Sequence, residues 1–215
     1  MNLVSYWAFK LLDFYLAVRF KRSFHDVKID LSKIENKIVL DRPIVLIANH
    51  SSWWDGFFAY QIFKKLNTDQ KFKIVMLESE LQKRPFFRLC GAVGLIPKDR
   101  SHNLKIFHEL KNHFVCFFPQ GELTPQNLRP LVFKPGVNTL IQTLHPVQIL
   151  SAAFYIEPFR FMNPTALIKV GSVQLSQVDQ DYSVSLAEVT EKHLDDISCD
   201  WVKNLYRLEN TPWKA

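Results

Sequence analysis

The sequence predicts a single α/β domain with a mostly parallel mixed sheet flanked by helices, preceded by an N-terminal amphipathic helix. Short apolar runs alternate with segments of helical periodicity, at lengths typical of strand–helix–strand units. The chain has 215 residues, of which 47% are hydrophobic, and can therefore bury one substantial core. Nothing in its composition requires a second domain.

The N-terminal segment, 1–26, predicts a helix that associates with a membrane, and the domain proper follows at 27–215. Aromatic and aliphatic side chains cover most of the helix, and basic residues gather at its end. This pattern is typical of a helix in the membrane interface. Lys10 and Asp13 interrupt the apolar stretch, and no cleavage site follows, so we expect neither a transmembrane span nor a signal peptide. The alternative is a helix packed on the protein's own core.

The remaining segments alternate between strand and helix patterns. Apolar runs predict strands at 37–40, 44–48, 73–76, 92–96, 114–118, 147–156 and 166–170. Helical spacing predicts helices at 58–66, 78–90, 101–110, 137–144 and 186–205. Pro85 should disturb the second of these helices, and Ser101 should cap the third. The turn at 41–43 joins the first two strands as a hairpin or bulge.

Charge and cysteine content restrict the class of protein. The net charge of +6 suits an anionic partner, which can be a phospholipid surface, a phosphorylated substrate or nucleic acid. No nucleic-acid-binding motif is present, so nucleic acid is not expected as a partner. The three cysteines are widely spaced, and the histidines lack metal-ligand spacing, so we expect no disulfide framework and no metal. These features favour a protein that faces the cytoplasm, where the environment is reducing.

The strand 44–48 leads into the most informative segment, N-H-S-S-W-W-D at 49–55. The strand delivers His50 to its carboxyl end, and Asp55 follows across a strand-to-helix turn. The carboxylate can therefore fold back on the imidazole and hold one ring nitrogen, which makes His50 an oriented general base. The two serines between them are expected to cap the helix, since no nucleophile elbow of the form G-x-S-x-G occurs.

This segment resembles the block of histidine, four residues and aspartate in the glycerolipid acyltransferases, the family that includes 1-acylglycerol-3-phosphate acyltransferase. Further similar blocks follow in the family's order. G-L-I-P-K-D-R at 94–100 resembles the second block, whose arginine binds the phosphate of the acceptor. F-P-Q-G-E at 118–122 resembles the third block, and F-K-P-G at 133–136 is similar to the F-K-x-G that follows it. V-Q-I-L-S-A-A-F at 147–154 stands for the fourth, apolar block.

The resemblance implies transfer of a fatty acyl group from a thioester to a hydroxyl of a lipid acceptor, by default 1-acylglycerol-3-phosphate. His50 would remove the hydroxyl proton, and Asp55 would fix the tautomer and stabilise the imidazolium. The acyl group would come from acyl-CoA or acyl carrier protein, as a co-substrate and without a further cofactor. The implied partners are these donors, the lipid acceptor and a membrane surface. The implied location is the cytoplasmic face of a membrane, as a peripheral or monotopic protein.

Block matching also implies substrate-binding residues. Arg100, with Lys98 beside it, would hold a phosphate, because the guanidinium fork suits bidentate contact. Backbone N–H groups near Gly121 would stabilise the tetrahedral oxyanion.

The third block departs from the family pattern. Gln120 stands in place of glutamate, Glu122 in place of a hydroxyl residue, and Leu123 in place of arginine. The usual phosphate-binding pair is thus incomplete, and we expect Gln120 and Glu122 to contact substrate, with Arg129 and Lys134 as replacement cations. The altered block also admits another acceptor, such as a glycolipid or lyso-ornithine lipid.

Two other functions remain compatible with these residues. A lipid hydrolase would use His50 to activate water, and only its independence of an acceptor separates it from a transferase. A non-catalytic lipid-binding protein would account for the basic charge and the aromatic residues. It would give no reason for a histidine and an aspartate at a strand end.

Overall fold

Eight strands form one sheet, and helices cover both of its faces. The structure, a computed structural model, describes residues 3–34, 38 and 42–204. The strands are β1 (Asp26–Asp30), β2 (Ile44–Ala48), β3 (Lys71–Leu77), β4 (Ala92–Leu95), β5 (His113–Phe117), β6 (Gln148–Glu157), β7 (Thr165–Val170) and β8 (Gln174–Leu175). The helices are α1 (Leu3–Ser23), α2 (Asp55–Leu66), α3 (Glu78–Lys83), α4 (Phe86–Leu89), α5 (Arg100–Glu109), α6 (Gly136–Leu144) and α7 (Tyr182–Asp196), which continues into a π-helical turn (Ile197–Trp201).

The strand order is β1-β7-β6-β2-β5-β3-β4, and β8 also pairs with β6. Neighbouring strands run parallel, except that β6 is antiparallel to β7 and to β8. The predicted fold class, an α/β domain with a mostly parallel mixed sheet, is confirmed. Because β2, β5 and β6 are parallel neighbours, their carboxyl ends meet at one edge of the sheet.

Strand β2 lies at the centre of the sheet and is completely buried. Its five residues are apolar and mostly β-branched or leucine, which suits a strand covered on both faces. On one face α1 and α2 pack against the sheet, and on the other α5, α6 and α7 do so. The sheet therefore holds β2 rigidly and presents the residues that follow it at the carboxyl edge.

Helix α1 packs on the core with one side and leaves an apolar side exposed. Leu12 and Leu16 are buried in the core cluster of the α2 face. Trp7, Leu11 and Phe14 lie on the exposed side. The predicted N-terminal helix is thus present. Its inner side packs on the core, and its outer side is apolar and aromatic. The same helix can therefore pack on the core and still contact a lipid surface. The division of the chain at residue 26 stays a prediction.

No helix among the described residues is both long enough and apolar enough to cross a membrane.

Two details differ from the sequence-based expectations. Asp99, not Ser101, caps α5, because its side chain accepts the backbone N–H of His102. Strand β1 is not predicted by the sequence, since charged residues flank its two apolar positions at the sheet edge. Pro85 separates α3 from α4, as expected. The predicted strand at 37–40 and the end of the last helix at 205 lie outside the described residues.

Candidate active site

Asn49 fixes the backbone at the point where β2 ends. Its Oδ1 accepts the N–H of Phe154 at 2.8 Å, and its Nδ2 donates to the carbonyl of the same residue at 3.0 Å. The side chain thereby continues the pairing of β2 with β6 for one residue beyond the strand. The backbone of His50, the next residue, is held at the carboxyl edge of the sheet as a result.

His50 and Asp55 form the pair that the sequence predicts. Nδ1 of His50 lies 2.9 Å from Oδ2 of Asp55. An ionised carboxylate can only accept hydrogen bonds, so Nδ1 carries the proton and Nε2 is left with its lone pair. This is the tautomer that a general base requires.

The Asp55 carboxylate is completely buried and fully hydrogen-bonded. Besides His50, it accepts the backbone N–H groups of Ser51 and Ser52, at 2.7 and 2.8 Å, and the Ser52 hydroxyl at 2.6 Å. Asp55 is also the first residue of α2, where the helix dipole favours a negative charge. The expectation that the serines cap α2 is wrong, because its N-cap residue is Trp54, without a side-chain cap bond. The donors of the two serines hold the Asp55 carboxylate instead.

The imidazole of His50 is stacked and partly open. Its ring lies on Phe118, with ring centroids 4.4 Å apart and planes 15° from parallel. The side chain is 26% exposed, and Nε2 has no hydrogen-bond partner within the described parts of the chain. Phe118 directly follows β5, the neighbour of β2. One nitrogen of His50 is therefore held by Asp55, and the other is available at the carboxyl edge of the sheet.

Gln120 joins two segments around His50. Its Oε1 accepts the N–H of His50 at 2.5 Å, and its Nε2 donates to the hydroxyl of Thr124. The N–H of Thr124 in turn donates to the carbonyl of His50 at 2.9 Å. The amide of Gln120 is buried and both of its ends are engaged within the protein. Substrate contact by Gln120 remains a prediction, and the contacts present are those of a residue that positions His50.

Comparison with known proteins decides the family. The family model described as "Acyltransferase" matches residues 28–160, more than half of the chain. The chain belongs to the acyltransferase family. Among solved structures, the fold is similar to that of the 1-acyl-sn-glycerophosphate (LPA) acyltransferase PlsC from Thermotoga maritima, with a TM-score of 0.60 and 16% identity over 88% of this chain and 80% of that one. No curated protein sequence matches significantly. The resemblance stated from the sequence blocks is confirmed at the level of this family, and the protein is an acyltransferase.

The acyltransferase places Gly121, Glu122 and Lys134 together. Nζ of Lys134 lies 3.5 Å from Oε1 of Glu122, and the Lys134 side chain passes so close to Gly121 that an added Cβ would lie 3.1 Å from Nζ. Gly121 has a φ of +71°, which disfavours other residues. Its own N–H donates to the carbonyl of Phe118 at 3.1 Å. The predicted oxyanion donor is therefore not the N–H of Gly121 itself in this arrangement.

Arg129 of the acyltransferase is directed at helix α7. Its guanidinium lies 3.2 Å from Asp195 and 3.9 Å from Glu191, and it also donates to the carbonyls of Gln126 and Leu128. These contacts account for its positive charge without a ligand. A role for Arg129 in binding the acceptor stays a prediction. To bind the acceptor, its side chain would have to break its ion pairs with Asp195 and Glu191.

Lys98 and Arg100 follow β4, at the same edge of the sheet as His50. Both side chains are exposed, and no described residue forms a hydrogen bond or ion pair with either. Strands β5 and β3 lie between β2 and β4, so three strand spacings, about 14 Å, separate the strand ends. The two cations are free to bind an anion, and their side chains would have to extend toward His50 to hold a phosphate close to it.

Aromatic side chains surround the His50 loop. Trp54 packs against Phe20 and Phe24 at the end of α1, whereas Trp53 is half-exposed and contacts Phe87 and the guanidinium of Arg84. The two tryptophans therefore connect the His50 loop to α1 and α4.

Within the described residues, no group of three or more histidine, cysteine, aspartate or glutamate side chains could hold a metal ion. Burial raises the pKa of the Cys116 thiol well above its ordinary value, and the Asp55 carboxylate raises it further. Cys116 therefore stays protonated behind the pair and is not a nucleophile.

Proposed function

We propose that this acyltransferase moves a fatty acyl group from an acyl thioester, on coenzyme A or acyl carrier protein, to a hydroxyl of a lipid acceptor. The strongest support is the hydrogen bond of 2.9 Å between His50 and Asp55. The Asp55 carboxylate is buried, and both of its oxygens accept hydrogen bonds. Nε2 of His50, to which no described residue forms a hydrogen bond, is the ring nitrogen left for a substrate. The proposal needs no cofactor beyond the donor thioester.

The proposed reaction balances without a covalent enzyme intermediate. Nε2 of His50 takes the proton from the acceptor hydroxyl as its oxygen attacks the thioester carbonyl. The buried Asp55 carboxylate stabilises the imidazolium that forms. When the tetrahedral intermediate collapses, the bond between carbon and sulfur breaks, and the imidazolium returns its proton to the leaving thiolate. The products are an ester and a free thiol.

For the acceptor, 1-acylglycerol-3-phosphate is the first candidate, and Lys98 and Arg100 would bind its phosphate. Their charges are unpaired, whereas Lys134 pairs with Glu122 and Arg129 pairs with α7. The pair of Glu122 and Lys134 favours a second candidate class. It offers both a carboxylate and an ammonium group to a zwitterionic or polyhydroxylated headgroup, such as a lyso-ornithine lipid or a glycolipid.

The proposal also places the protein on a membrane, as a peripheral partner of the cytoplasmic face. The apolar exposed side of α1 ends in a basic last turn with Lys21 and Arg22. Apolar side chains can enter the acyl region while these cations meet anionic head groups. Docking of this kind would bring the site close to an acceptor lipid in the bilayer.

Acceptor-dependent release of thiol tests the proposed function. Purified protein is incubated with acyl-CoA or acyl carrier protein thioester and with vesicles that contain one acceptor at a time. We expect free thiol only when an acceptor with a hydroxyl or amino group is present, together with a labelled diacyl product. Equal release without any acceptor would instead show a hydrolase.

A further inference from the structure

The connection between β6 and β7, residues 158–164, carries an apolar side chain that no described residue covers. Met162 is 100% exposed, and Arg160 beside it is also exposed. Transfer of a methionine side chain from water into an apolar environment is favourable. A fully exposed methionine at the tip of a hairpin is therefore a candidate for insertion into a partner. We call residues 158–164 the hairpin tip.

The hairpin tip is attached to the end of α1. Nδ2 of Asn163 donates to the carbonyl of Arg22 at 3.0 Å, and the N–H of His25 donates to the carbonyl of Pro164 at 2.9 Å. The ring of His25 stacks on Phe161, with centroids 3.5 Å apart and planes 10° from parallel. The hairpin tip and the basic end of α1 consequently form one continuous surface.

The hairpin tip also lies at the edge of the sheet that holds His50. Strand β6 runs parallel to β2, with Ala152 opposite Ala48, so the hairpin tip and His50 both follow the carboxyl ends of neighbouring strands. The side chain of Gln126 exchanges two hydrogen bonds of 3.0 Å with the backbone of Ile156, one residue before β6 ends. The loop of the third block is thereby tied to the base of the hairpin.

We propose that the hairpin tip is a second membrane contact, which inserts Met162 into a bilayer rich in anionic phospholipid and holds the His50 edge near its surface. A protein held to a bilayer by one helix can still rotate about the axis of that helix. A second contact beside the helix removes that freedom and selects the orientation in which the site can receive a lipid. This inference rests on the proposed docking of α1.

The charges around the hairpin tip suit an anionic surface. Arg160 lies over the ring of Phe161, 5.6 Å from its centroid, and Lys21 and Arg22 occupy the adjoining end of α1. The nearby acid Asp26 is neutralised by an ion pair of 3.0 Å with Lys28. Basic residues next to an exposed apolar side chain are the composition expected of an interfacial contact.

A fluorescent label at the hairpin tip tests the contact without depending on activity. Met162→Cys is made in a Cys199→Ser background, because the other two cysteines are buried, and is labelled with an environment-sensitive fluorophore. With vesicles of phosphatidylglycerol and phosphatidylcholine, we expect a blue shift and quenching by bromine-labelled acyl chains. A label on Val184→Cys is the control, since Val184 is exposed on α7, on the opposite face of the sheet. Its emission should stay unchanged.

A substitution gives the second measurement. Met162→Asp should weaken cosedimentation with the same vesicles at least several-fold, whereas Val184→Asp should not. An unshifted label at position 162, whether or not the protein cosediments, would overturn the inference. A shifted label without any acceptor-dependent release of thiol would keep the membrane contact and refute the proposed function instead.

Discussion

The Asp55 carboxylate is buried at the edge of a hydrophobic core, where an unpaired charge would cost several kcal/mol. Its four hydrogen bonds, from His50 Nδ1, two backbone N–H groups and a serine hydroxyl, offset that cost. All four come from residues 50–52, so a short local segment completes the arrangement. This locality is the reason that the sequence alone could predict the pair.

The other residues around His50 could not be predicted in the same way. Gln120 is 70 positions away from His50 in the chain, and Thr124 and Phe118 belong to the same distant loop. Only the pairing of β2 with β5 brings that loop to the site. Matching of sequence blocks identified Gln120 as part of the site, but it could not show that its amide holds the backbone of His50 rather than a substrate.

Substitution of Gln120 by glutamate tests this positioning role. The carboxylate of Gln120→Glu can still accept the N–H of His50, but as an anion it cannot donate to the hydroxyl of Thr124. We therefore expect Gln120→Glu to keep most of the wild-type kcat, because the acceptor that holds the backbone of His50 is retained.

Gln120→Leu serves as the comparison, since it removes the hydrogen bond without adding charge. We expect Gln120→Leu to have a lower kcat than Gln120→Glu, with KM little changed, because positioning of His50 affects the chemical step. A higher KM with an unchanged kcat in Gln120→Leu would contradict the assignment and indicate contact with substrate.

At the scale of single elements, sequence patterns were most accurate for segments buried on a definite face. Strand β2 and helix α6 agree with their predicted bounds, because an uninterrupted apolar run and a clean helical spacing leave few alternatives. Strand β1 was missed, since its stability comes from parallel pairing with β7, a partner distant in sequence. The five residues of β1 alone do not indicate which strand they pair with.

Helix α1 has two sides with different roles, and leucine substitutions separate them. Leu16 is 1% exposed and Leu11 is 57% exposed. Leu16→Ala should lower the free energy of unfolding by about 2–5 kcal/mol, because it leaves a cavity in the core. Leu11→Ala should change that free energy by less than about 0.5 kcal/mol.

Substitutions on the exposed side of α1 should instead affect vesicle binding more than stability. Cosedimentation measures vesicle binding, and chemical denaturation measures the free energy of unfolding. Leu11→Asp should weaken binding to anionic vesicles while the protein stays folded. Retention of full vesicle binding by this variant would rule out docking through the exposed side of α1. Deletion of the whole helix is a poorer test, since it also removes Leu12 and Leu16 from the core.

For the whole molecule, acid stability should depend on a histidine outside the site. Burial and, after it, the charges of Lys169 and Lys33 together lower the pKa of His193 to about 4. In the unfolded chain the same group titrates near 6.5. The unfolded state therefore binds the proton first as pH falls, and the free energy of unfolding should decrease between about pH 6.5 and pH 4, by up to roughly 3 kcal/mol.

Denaturant unfolding at a series of pH values measures this decrease. His193→Gln should remove most of the slope in that window, whereas the exposed His108→Gln should preserve it. Carboxylates act at lower pH, since the hydrogen bond with Lys169 holds the pKa of Asp196 below 3.8. An unchanged slope in His193→Gln would assign the acid sensitivity to other groups.

The architecture of the molecule directs several features toward one edge of the sheet. The carboxyl ends of β2, β5 and β6 carry His50, the third block and the hairpin tip, and α1 ends beside them. Ligands in parallel α/β sheets bind beyond the carboxyl ends of the strands. The fold class could be predicted from the order of short elements, whereas the placement of α1 against the edge required its tertiary contacts.

The central claim, that His50 is the base for acyl transfer, is tested most directly by the transfer rate of His50→Ala. Labelled acyl thioester and acceptor vesicles are mixed with the wild-type protein, with His50→Ala and with Asp55→Asn, and labelled product is measured under single-turnover conditions. We expect His50→Ala to lose at least about 10²-fold in rate under conditions in which it is folded, and Asp55→Asn to be similarly impaired. A folded His50→Ala protein that transfers the acyl group at the wild-type rate would contradict the mechanism.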